Sequence, residues 1–257
     1  MVSVLLTKGK SRIARPPERG GACDAGAVER IEPDPDQASR RAVAAHALGR
    51  LGPEQTIGLG SGRAVWTLVD AIAERWPEGP PLRAAVASAE TEAAVRRAGI
   101  ELVEPEAGLS LTIDGADEVD PALGLLKGGG GALLREKLLV LAAERFLVLA
   151  QASKRVERLG ETRALPVEVV RFAWRTTQQR LLELVARAEP RLDAGGRPLV
   201  TEEGNVLLDC ALGAEGEVDE LAAAIKSVVG VVEHGLFLGM ADTVMLGHPD
   251  GRVEELH

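Results

Sequence analysis

Residues 109–137 read LSLTIDGADEVDPALGLLKGGGGALLREK and bring acidic side chains, a lysine and a run of glycines together in one short stretch. An apolar run typical of a buried strand ends in two acids, Asp114 and Asp117. Lys127 and four consecutive glycines follow, and the helical pattern after them carries Glu136. Carboxylates, an ammonium group and a glycine-rich turn between two apolar elements are typical of a functional site rather than of a structural loop.

Strands and helices alternate on both sides of this segment. The hydrophobic periodicity predicts strands at Thr56–Leu59, Ala84–Ala87, Ile100–Val103, Leu109–Ile113 and Phe146–Ala150, and helices over 38–50, from Arg63, over Ala89–Ala98 and over Ala132–Arg145. Such alternation indicates parallel βαβ units, as in Rossmann-like sheets. Ligands bind beyond the carboxyl ends of the strands in these sheets, and three polar loops follow strands at that end.

The pattern changes after about residue 164. It predicts, in order, a strand, a helix, two strands, a helix and a strand, at Leu165–Val170, Thr176–Ala188, Leu199–Thr201, Val206–Asp209, Val218–Val229 and Val231–Phe237, before the chain rejoins the first sheet with Asp242–Leu246. The order βαββαβ is that of a ferredoxin-like unit. The sequence therefore predicts an α/β fold, in which a Rossmann-like parallel-sheet domain (37–163 and 236–257) carries an inserted ferredoxin-like α+β domain (164–235).

Residues 1–36 mix proline, glycine and charge with little periodicity, and we expect a disordered or loosely attached N-terminal extension. The alternative is a start codon assigned too far upstream. The two cysteines, Cys23 and Cys210, lie far apart and lack metal-ligand spacing, which favours a cytoplasmic protein without disulfides. No apolar run approaches the length of about 18 residues that a membrane span needs.

The overall charge and the scarcity of aromatic residues argue against several classes of partner. The net charge is −9, the pI is about 5.1 and aromatic residues make up 2% of the chain. A general nucleic-acid or anionic-membrane binder would need a basic surface, and single-stranded nucleic acid would need stacking platforms. The four histidines are scattered, so the sequence predicts neither a metal site nor a cofactor.

Two glycine-rich turns could bind anions. The loop Gly60–Gly62 lies between a predicted strand and a predicted helix, an arrangement that directs backbone N–H groups at a phosphate. The alternative is a tight turn with no ligand. Gly128–Gly131 expose amides where the next helix begins, and a helix-entry turn alone would not need four glycines. Lys154 could reach a phosphate or a sugar oxygen, or could simply follow the N-cap Ser153.

The acidic residues are candidates for proton transfer. Glu136 shares a helix face with apolar residues, and a partly buried glutamate has a raised pKa that suits a proton shuttle. The alternative is an ion pair with Arg135, Lys137 or another neighbour. Asp114 and Asp117 follow a buried strand, where burying a carboxylate without a partner or a function costs free energy. One of the two could instead cap a turn. Lys127 could neutralise a carboxylate or hold an oxyanion, and the alternative is a solvated surface cation.

Seven blocks together resemble type A ribose-5-phosphate isomerase: IGLGSGRA, TIDGADEVD, LLKGGGGALLREK, ASKRVERLG, LPVEVV, VTEEGNVLLD and GVVEHGLF. The resemblance extends from about Gln37 to the C-terminus. It implies metal-independent interconversion of D-ribose 5-phosphate and D-ribulose 5-phosphate through an enediolate, in the non-oxidative pentose phosphate pathway. It also implies a sugar-phosphate ligand, no cofactor, and assembly as a homodimer or homotetramer.

Residue roles follow from the resemblance, position by position. Glu136 would accept the proton, Asp114 and Asp117 would contact sugar hydroxyls and assist ring opening, and Lys127 would stabilise the enediolate oxygen. The remaining positions would bind substrate: Ser61, Gly62, Arg63, Ala64, Gly115, Ala116, Gly128, Gly129, Gly130 and Lys154. The family loop commonly reads GTGST, so Arg63 and Ala64 replace two hydroxyl residues here, and we hypothesise that Arg63 provides a bidentate phosphate contact instead.

Two other functions compete with this interpretation. Related folds serve as sugar-phosphate sensors in regulators, but the first 36 residues show no helix-turn-helix and binding alone would not require Glu136. A CoA-transferase-like or amino-sugar-phosphate isomerase could use Glu136 on a similar sheet, although the DGAD and KGGGG blocks fit the pentose isomerase better.

Overall fold

The structure is a computed structural model that describes residues 36–213 and 216–257 of the 257-residue chain. The predicted extension over residues 1–36 lies outside the described residues, apart from Asp36. The helices are α1 (Gln37–Leu48), α2 (Arg63–Arg75), α3 (Ala89–Arg97), α4 (Leu133–Leu141), α5 (Trp174–Leu181) and α6 (Val218–Ser227). The strands are β1 (Thr56–Leu59), β2 (Arg83–Val86), β3 (Glu101–Leu102), β4 (Leu111–Gly115), β5 (Glu118–Val119), β6 (Leu125–Leu126), β7 (Phe146–Gln151), β8 (Leu165–Val169), β9 (Arg187–Pro190), β10 (Val206–Ala211), β11 (Val231–His234), β12 (Leu236–Phe237), β13 (Thr243–Gly247) and β14 (Val253–Leu256).

A seven-stranded sheet with the order β14-β13-β7-β4-β1-β2-β3 forms the larger part of the fold. Its neighbouring strands are parallel except for the antiparallel pair β13–β14. The chain runs outward from β1 through β2 to β3 and then returns to the other side of β1 as β4. The strand order therefore reverses between β1 and β4, which is where open α/β sheets bind their ligands.

Alternate residues of the central strands face opposite layers. In β7, Leu147 and Leu149 pack in the core beneath α1, α2 and α3, whereas Phe146 and Val148 pack with Val140 of α4 on the other face. Both faces of the strand are apolar because helices cover both, as parallel sheets require. A three-stranded sheet, β12-β6-β5, lies on the α4 side.

The second half of the chain contains a four-stranded antiparallel sheet with the order β11-β8-β10-β9. The element order is β8-α5-β9-β10-α6-β11, so the predicted ferredoxin-like βαββαβ unit is confirmed. We call residues 165–234 the small lobe. The described residues form one compact unit, so the domain boundaries at 37–163, 164–235 and 236–257 stay predictions.

Three predicted elements differ in extent. The helix expected over Ala132–Arg145 ends at Leu141, because the chain turns back and the Glu144 N–H donates to the Leu109 carbonyl. The helix expected over Thr176–Ala188 ends at Leu181, since Arg187–Pro190 pairs with β10 instead. The strand expected at Leu199–Thr201 makes only an isolated bridge.

The predicted strand Val231–Phe237 is divided at Gly235. A Cβ at this position would lie 2.1 Å from the Lys127 carbonyl oxygen, so only glycine lets the two segments approach. The chain therefore leaves the small lobe as β11 and enters the three-stranded sheet as β12. Among the described residues, no helix is long and apolar enough to cross a membrane.

Candidate active site

The ends of β1, β4 and β7, three neighbouring strands, surround a cavity of about 350 Å³. The helix α4 and the glycine loop before it close one side. The cavity is lined by Arg40, Ser61, Gly62, Arg63, Ala64, Trp66, Gly115, Ala116, Asp117, Lys127, Gly128, Gly129, Gly130, Glu136, Leu149, Gln151 and Lys154. All the site residues expected from the sequence are in this set except Asp114.

A buried lysine joins two carboxylates beside the cavity. The Lys127 Nζ atom lies 2.8 Å from Asp114 Oδ2 and 3.0 Å from Glu136 Oε2, and it donates to the Gly115 carbonyl at 2.6 Å. The side chains of Lys127, Asp114 and Glu136 are 3%, 0% and 5% exposed, so water hardly reaches them. Two carboxylates on a single ammonium leave a net negative charge in a dry site, which favours binding of one proton.

Burial sets the protonation of Glu136. Burial and, after it, the negative charge of Asp114 raise the pKa of Glu136, Lys127 lowers it, and the net result is a pKa of about 7. Burial likewise raises the pKa of Asp114 against the pull of Lys127. Burial alone would lower the pKa of Lys127, but the two carboxylates outweigh it and raise that pKa. The result is a permanent cation beside a carboxyl group that can take up and return a proton near neutral pH.

Asp114 lies beneath the cavity floor rather than on its wall. One of its carboxylate oxygens accepts the backbone N–H groups of Ser61, at 3.1 Å, and Gly115, at 2.7 Å, while the other faces Lys127. A Cβ on Gly60 would fall 1.8 Å from the Asp114 Cγ atom, so the β1 loop can pass over the carboxylate only with glycine there. Asp114 therefore supports the cavity floor in this structure, and its contact with sugar hydroxyls stays a prediction.

Asp117 and the glycine loop form the opposite wall. The Gly129 N–H donates to Asp117 Oδ2 at 2.8 Å, and Gly128 has a φ of 100°, a conformation that favours glycine. The loop runs directly into α4, where Glu136 lies in the first turn. Backbone N–H groups, a carboxylate and the Lys127 ammonium thus lie around the same space as Glu136.

The far end of the cavity is built for an anion. The loop Gly60–Gly62 leads from β1 into α2, whose first residue is Arg63. The N-terminus of a helix attracts negative charge through its N–H groups and its dipole. Arg40, on α1, and Lys154, which follows β7, also line the cavity and add positive charge to it.

Sequence reasoning missed Arg40, Trp66, Leu149 and Gln151. For Arg40 a signal was present, because Arg40 shares the helical spacing of Val43, Ala44 and Ala47, the buried face of α1. A charged residue on an apolar helix face indicates a side chain that is buried and paired, and Arg40 is 6% exposed. Trp66 donates its indole N–H to Thr91 at 3.0 Å and thereby shapes the wall, a contact that no local pattern predicts.

Lys137, next to Glu136, fastens α4 to the small lobe. Its Nζ atom donates to Glu233 Oε1 at 2.8 Å and to the carbonyls of His234 and Leu236 at 2.8 and 2.9 Å. Burial opposes ionisation of Glu233, but hydrogen bonds from Lys137 and Lys226 lower its pKa to about 2. Of two consecutive residues of α4, Glu136 therefore lines the cavity and Lys137 attaches the helix to the small lobe.

Comparison with known proteins identifies the family. The model of the family described as ribose 5-phosphate isomerase A (phosphoriboisomerase A) matches residues 84–251, more than half of the chain. The chain belongs to the ribose 5-phosphate isomerase A family. Among curated members, ribose-5-phosphate isomerase A of Roseiflexus castenholzii is 44% identical over 223 residues, covering 85% of this chain and 95% of that protein.

Solved structures of family members share the fold. Ribose 5-phosphate isomerase A of Methanocaldococcus jannaschii aligns with a TM-score of 0.80 and 31% identity, covering 86% of this chain and 99% of that one. A D-ribose-5-phosphate isomerase solved in complex with phospho-erythronic acid aligns with a TM-score of 0.80 and 28% identity, over 85% of this chain and 97% of that one. The ribose 5-phosphate isomerase A fold therefore extends over nearly all of the described residues.

Proposed function

We propose that this protein interconverts D-ribose 5-phosphate and D-ribulose 5-phosphate through an enediolate, without a metal ion, as a step of the pentose phosphate pathway. The observation that carries the proposal is the buried Lys127–Glu136 pair, 3.0 Å apart, at the cavity of a chain that belongs to the ribose 5-phosphate isomerase A family. An aldose and its ketose differ in the position of one carbon-bound proton and one hydroxyl proton, and a single carboxylate can move the carbon-bound proton.

In this mechanism Glu136 takes the proton from C2 of the open-chain aldose and returns it to C1, while the hydroxyl proton passes from O2 to O1, so that the carbonyl group moves from C1 to C2. The carbonyl oxygen at C1 gains negative charge as the proton leaves, and Lys127 and the N–H groups of the glycine loop stabilise it. Groups that bind charge present only in the transition state accelerate the reaction rather than merely binding substrate. The positive charge that the enediolate needs is supplied by the ammonium, so the mechanism requires no metal.

A coupled assay tests the reaction class. Purified protein is expected to convert ribose 5-phosphate to ribulose 5-phosphate at the same rate with and without EDTA. A sugar-phosphate sensor would bind the sugar without turnover, and an amino-sugar-phosphate isomerase would prefer a hexosamine phosphate. Loss of activity in EDTA would contradict metal independence. Assembly as a homodimer or homotetramer and a cytoplasmic location stay predictions that the resemblance implies.

The phosphate end leads to a prediction for Arg63. Its place at the start of α2, on the cavity wall, supports a charge-assisted contact with the phosphate. Arg63→Ala is expected to raise KM for ribose 5-phosphate about 10-fold, equivalent to about 1.4 kcal/mol, with a smaller change in kcat. Arg75→Ala, at the exposed other end of α2, is the matched control and should leave KM unchanged. An unchanged KM in Arg63→Ala would contradict the contact.

The protonation of Glu136 predicts the pH profile. The ionised form is the base, and its pKa is about 7, so kcat/KM should fall about tenfold per pH unit on the acid side of that value. In Asp114→Asn, the negative charge that raises this pKa is gone and Lys127 pairs with Glu136 alone, so the acid limb should move to lower pH. Steady-state rates between pH 5 and 9, a range of about two pH units on each side of the pKa, measure both profiles. An acid limb that stays in place would show that Asp114 does not set the Glu136 pKa.

A further inference from the structure

Arg191, a residue of the small lobe outside the cavity lining, contacts the glycine loop from behind. It directly follows β9, and its Nη1 atom donates to the carbonyl oxygens of Gly128 and Gly129 at 2.8 and 3.0 Å. These two hydrogen bonds join a guanidinium to the loop that forms one wall of the cavity.

The two carbonyls belong to the peptides that carry the N–H groups of Gly129 and Gly130. The described peptide bonds are trans, so each N–H points away from the carbonyl of its own peptide and hence away from Arg191. Gly129 and Gly130 line the cavity, and the Gly129 N–H already donates to Asp117. A guanidinium behind a peptide polarises it, which strengthens the N–H on the other side as a donor.

Asp209 fixes the guanidinium in turn. The Nη2 and Nε atoms of Arg191 donate to the two carboxylate oxygens of Asp209 at 2.5 and 3.1 Å, a bidentate pair that sets the plane of the group. The backbone is fixed as well, because the Arg191 N–H donates to the Leu207 carbonyl and the Arg191 carbonyl accepts from Leu199. Flipping either glycine peptide would break a charge-assisted hydrogen bond and direct a carbonyl oxygen at the cavity.

We propose that Arg191, oriented by Asp209, is a positioning residue that holds the Gly130 N–H towards the developing enediolate oxygen and keeps the Gly129 N–H on Asp117. The inference rests on the proposed isomerisation, because it assigns the Gly130 N–H to that oxygen. Arg191 touches no substrate itself. A lysine at this position cannot reproduce the fork that contacts two carbonyls and a carboxylate at once, since it offers one ammonium group.

The test compares Arg191→Lys with Arg197→Lys. Arg197 lies in the same hairpin, is 81% exposed and pairs with Asp193, so it provides the same change of chemistry away from the loop. Arg191→Lys is expected to lower kcat about 10- to 100-fold, less than the ~10²–10³-fold loss on removing an oxyanion donor outright, with KM changed less than about threefold. Arg197→Lys should match the wild type.

Ligand binding separates positioning from general damage. Phospho-erythronic acid, the ligand of the solved relative, carries a carboxylate besides its phosphate, so its affinity should weaken in Arg191→Lys. Inhibition by inorganic phosphate, which reports only the anion end, should not change. Wild-type kcat in Arg191→Lys, or an equal weakening of both ligands, would overturn the proposal.

The amide resonances of Gly129 and Gly130 give a readout that does not need turnover. In ¹⁵N-labelled full-length protein, both should move upfield in Arg191→Lys because the peptides lose polarisation, and both should stay in place in Arg197→Lys. Unmoved resonances would overturn the positioning role. A wild-type protein inactive on ribose 5-phosphate would instead contradict the proposed function, so the two failures are distinguishable.

Discussion

Glu136→Gln is expected to lower kcat for ribose 5-phosphate by at least ~10²–10⁴-fold, the usual contribution of a general base. The amide cannot accept the C2 proton, and with Glu136 4% exposed there is little room for water to replace it. KM should change little, because the phosphate end of the cavity is untouched. Steady-state kinetics and loss of deuterium exchange at C2 measure the effect.

The same variant should fold at least as well as the wild type. A carboxyl whose folded pKa is raised from 4.5 to about 7 binds more protons in the folded state, so its contribution to stability falls as pH rises through that window. At pH 8, above the pKa of about 7, Glu136 is ionised at a cost in stability that the glutamine amide does not have. The Tm of Glu136→Gln should therefore be no lower than that of the wild type. Glu144→Gln, an exposed change just beyond α4, is the control for turnover. Near-normal kcat in Glu136→Gln would overturn the assignment.

Lys127→Met is expected to lower the free energy of unfolding by about 3–5 kcal/mol, as for other buried ion pairs that lose one partner. The change leaves Asp114 and Glu136 buried without their cation. Both folded pKa values would rise further above their unfolded values, so the loss should be larger at pH 8 than at pH 5. Denaturant unfolding at the two pH values measures it.

Turnover should fall as well, by about 10²–10³-fold, because the ammonium that stabilises the oxyanion is missing. Lys154→Met removes another lysine of the same cavity and is the matched control for stability, not for turnover, because Lys154 is itself expected to bind substrate. It should change the free energy of unfolding by less than about 0.5 kcal/mol, since Lys154 pairs with neither Asp114 nor Glu136. Equal stability of Lys127→Met and the wild type would show that the two carboxylates do not depend on Lys127.

The sequence predicted the fold and the place of the cavity because both follow from local signals. Apolar runs ending in polar loops located the strand ends, and Gly128–Gly131 located the entry to α4. The helical spacing of Arg40 indicated that it is buried, but its place at the cavity depends on packing between α1 and α2, which are separate in sequence. The burial of Asp114 beneath the floor could not be predicted, since it depends on the approach of Gly60 from a different strand.

In the small lobe, too, features that depend on contacts between distant segments could not be predicted from the sequence. β9 could not be located at Arg187–Pro190 from periodicity, because its pairing with β10 decides it and two of its four residues are charged. Arg191 likewise gave no signal, since its carbonyl partners lie more than 60 positions earlier in the chain. Contacts between distant segments thus account for most of what the residue pattern alone did not predict.

The attachment of α4 to β11 and β12 also restricts how this enzyme could be made smaller. Lys137 donates to the backbone carbonyls on both sides of Gly235, and the Gly235 carbonyl accepts the Lys127 N–H at 2.8 Å. A shortened version that kept only the parallel sheet would retain every cavity-lining side chain, yet it would release the helix and the loop that bear Lys127 and Glu136. We therefore expect a version of the isomerase without the small lobe to lose the positions of Lys127 and Glu136.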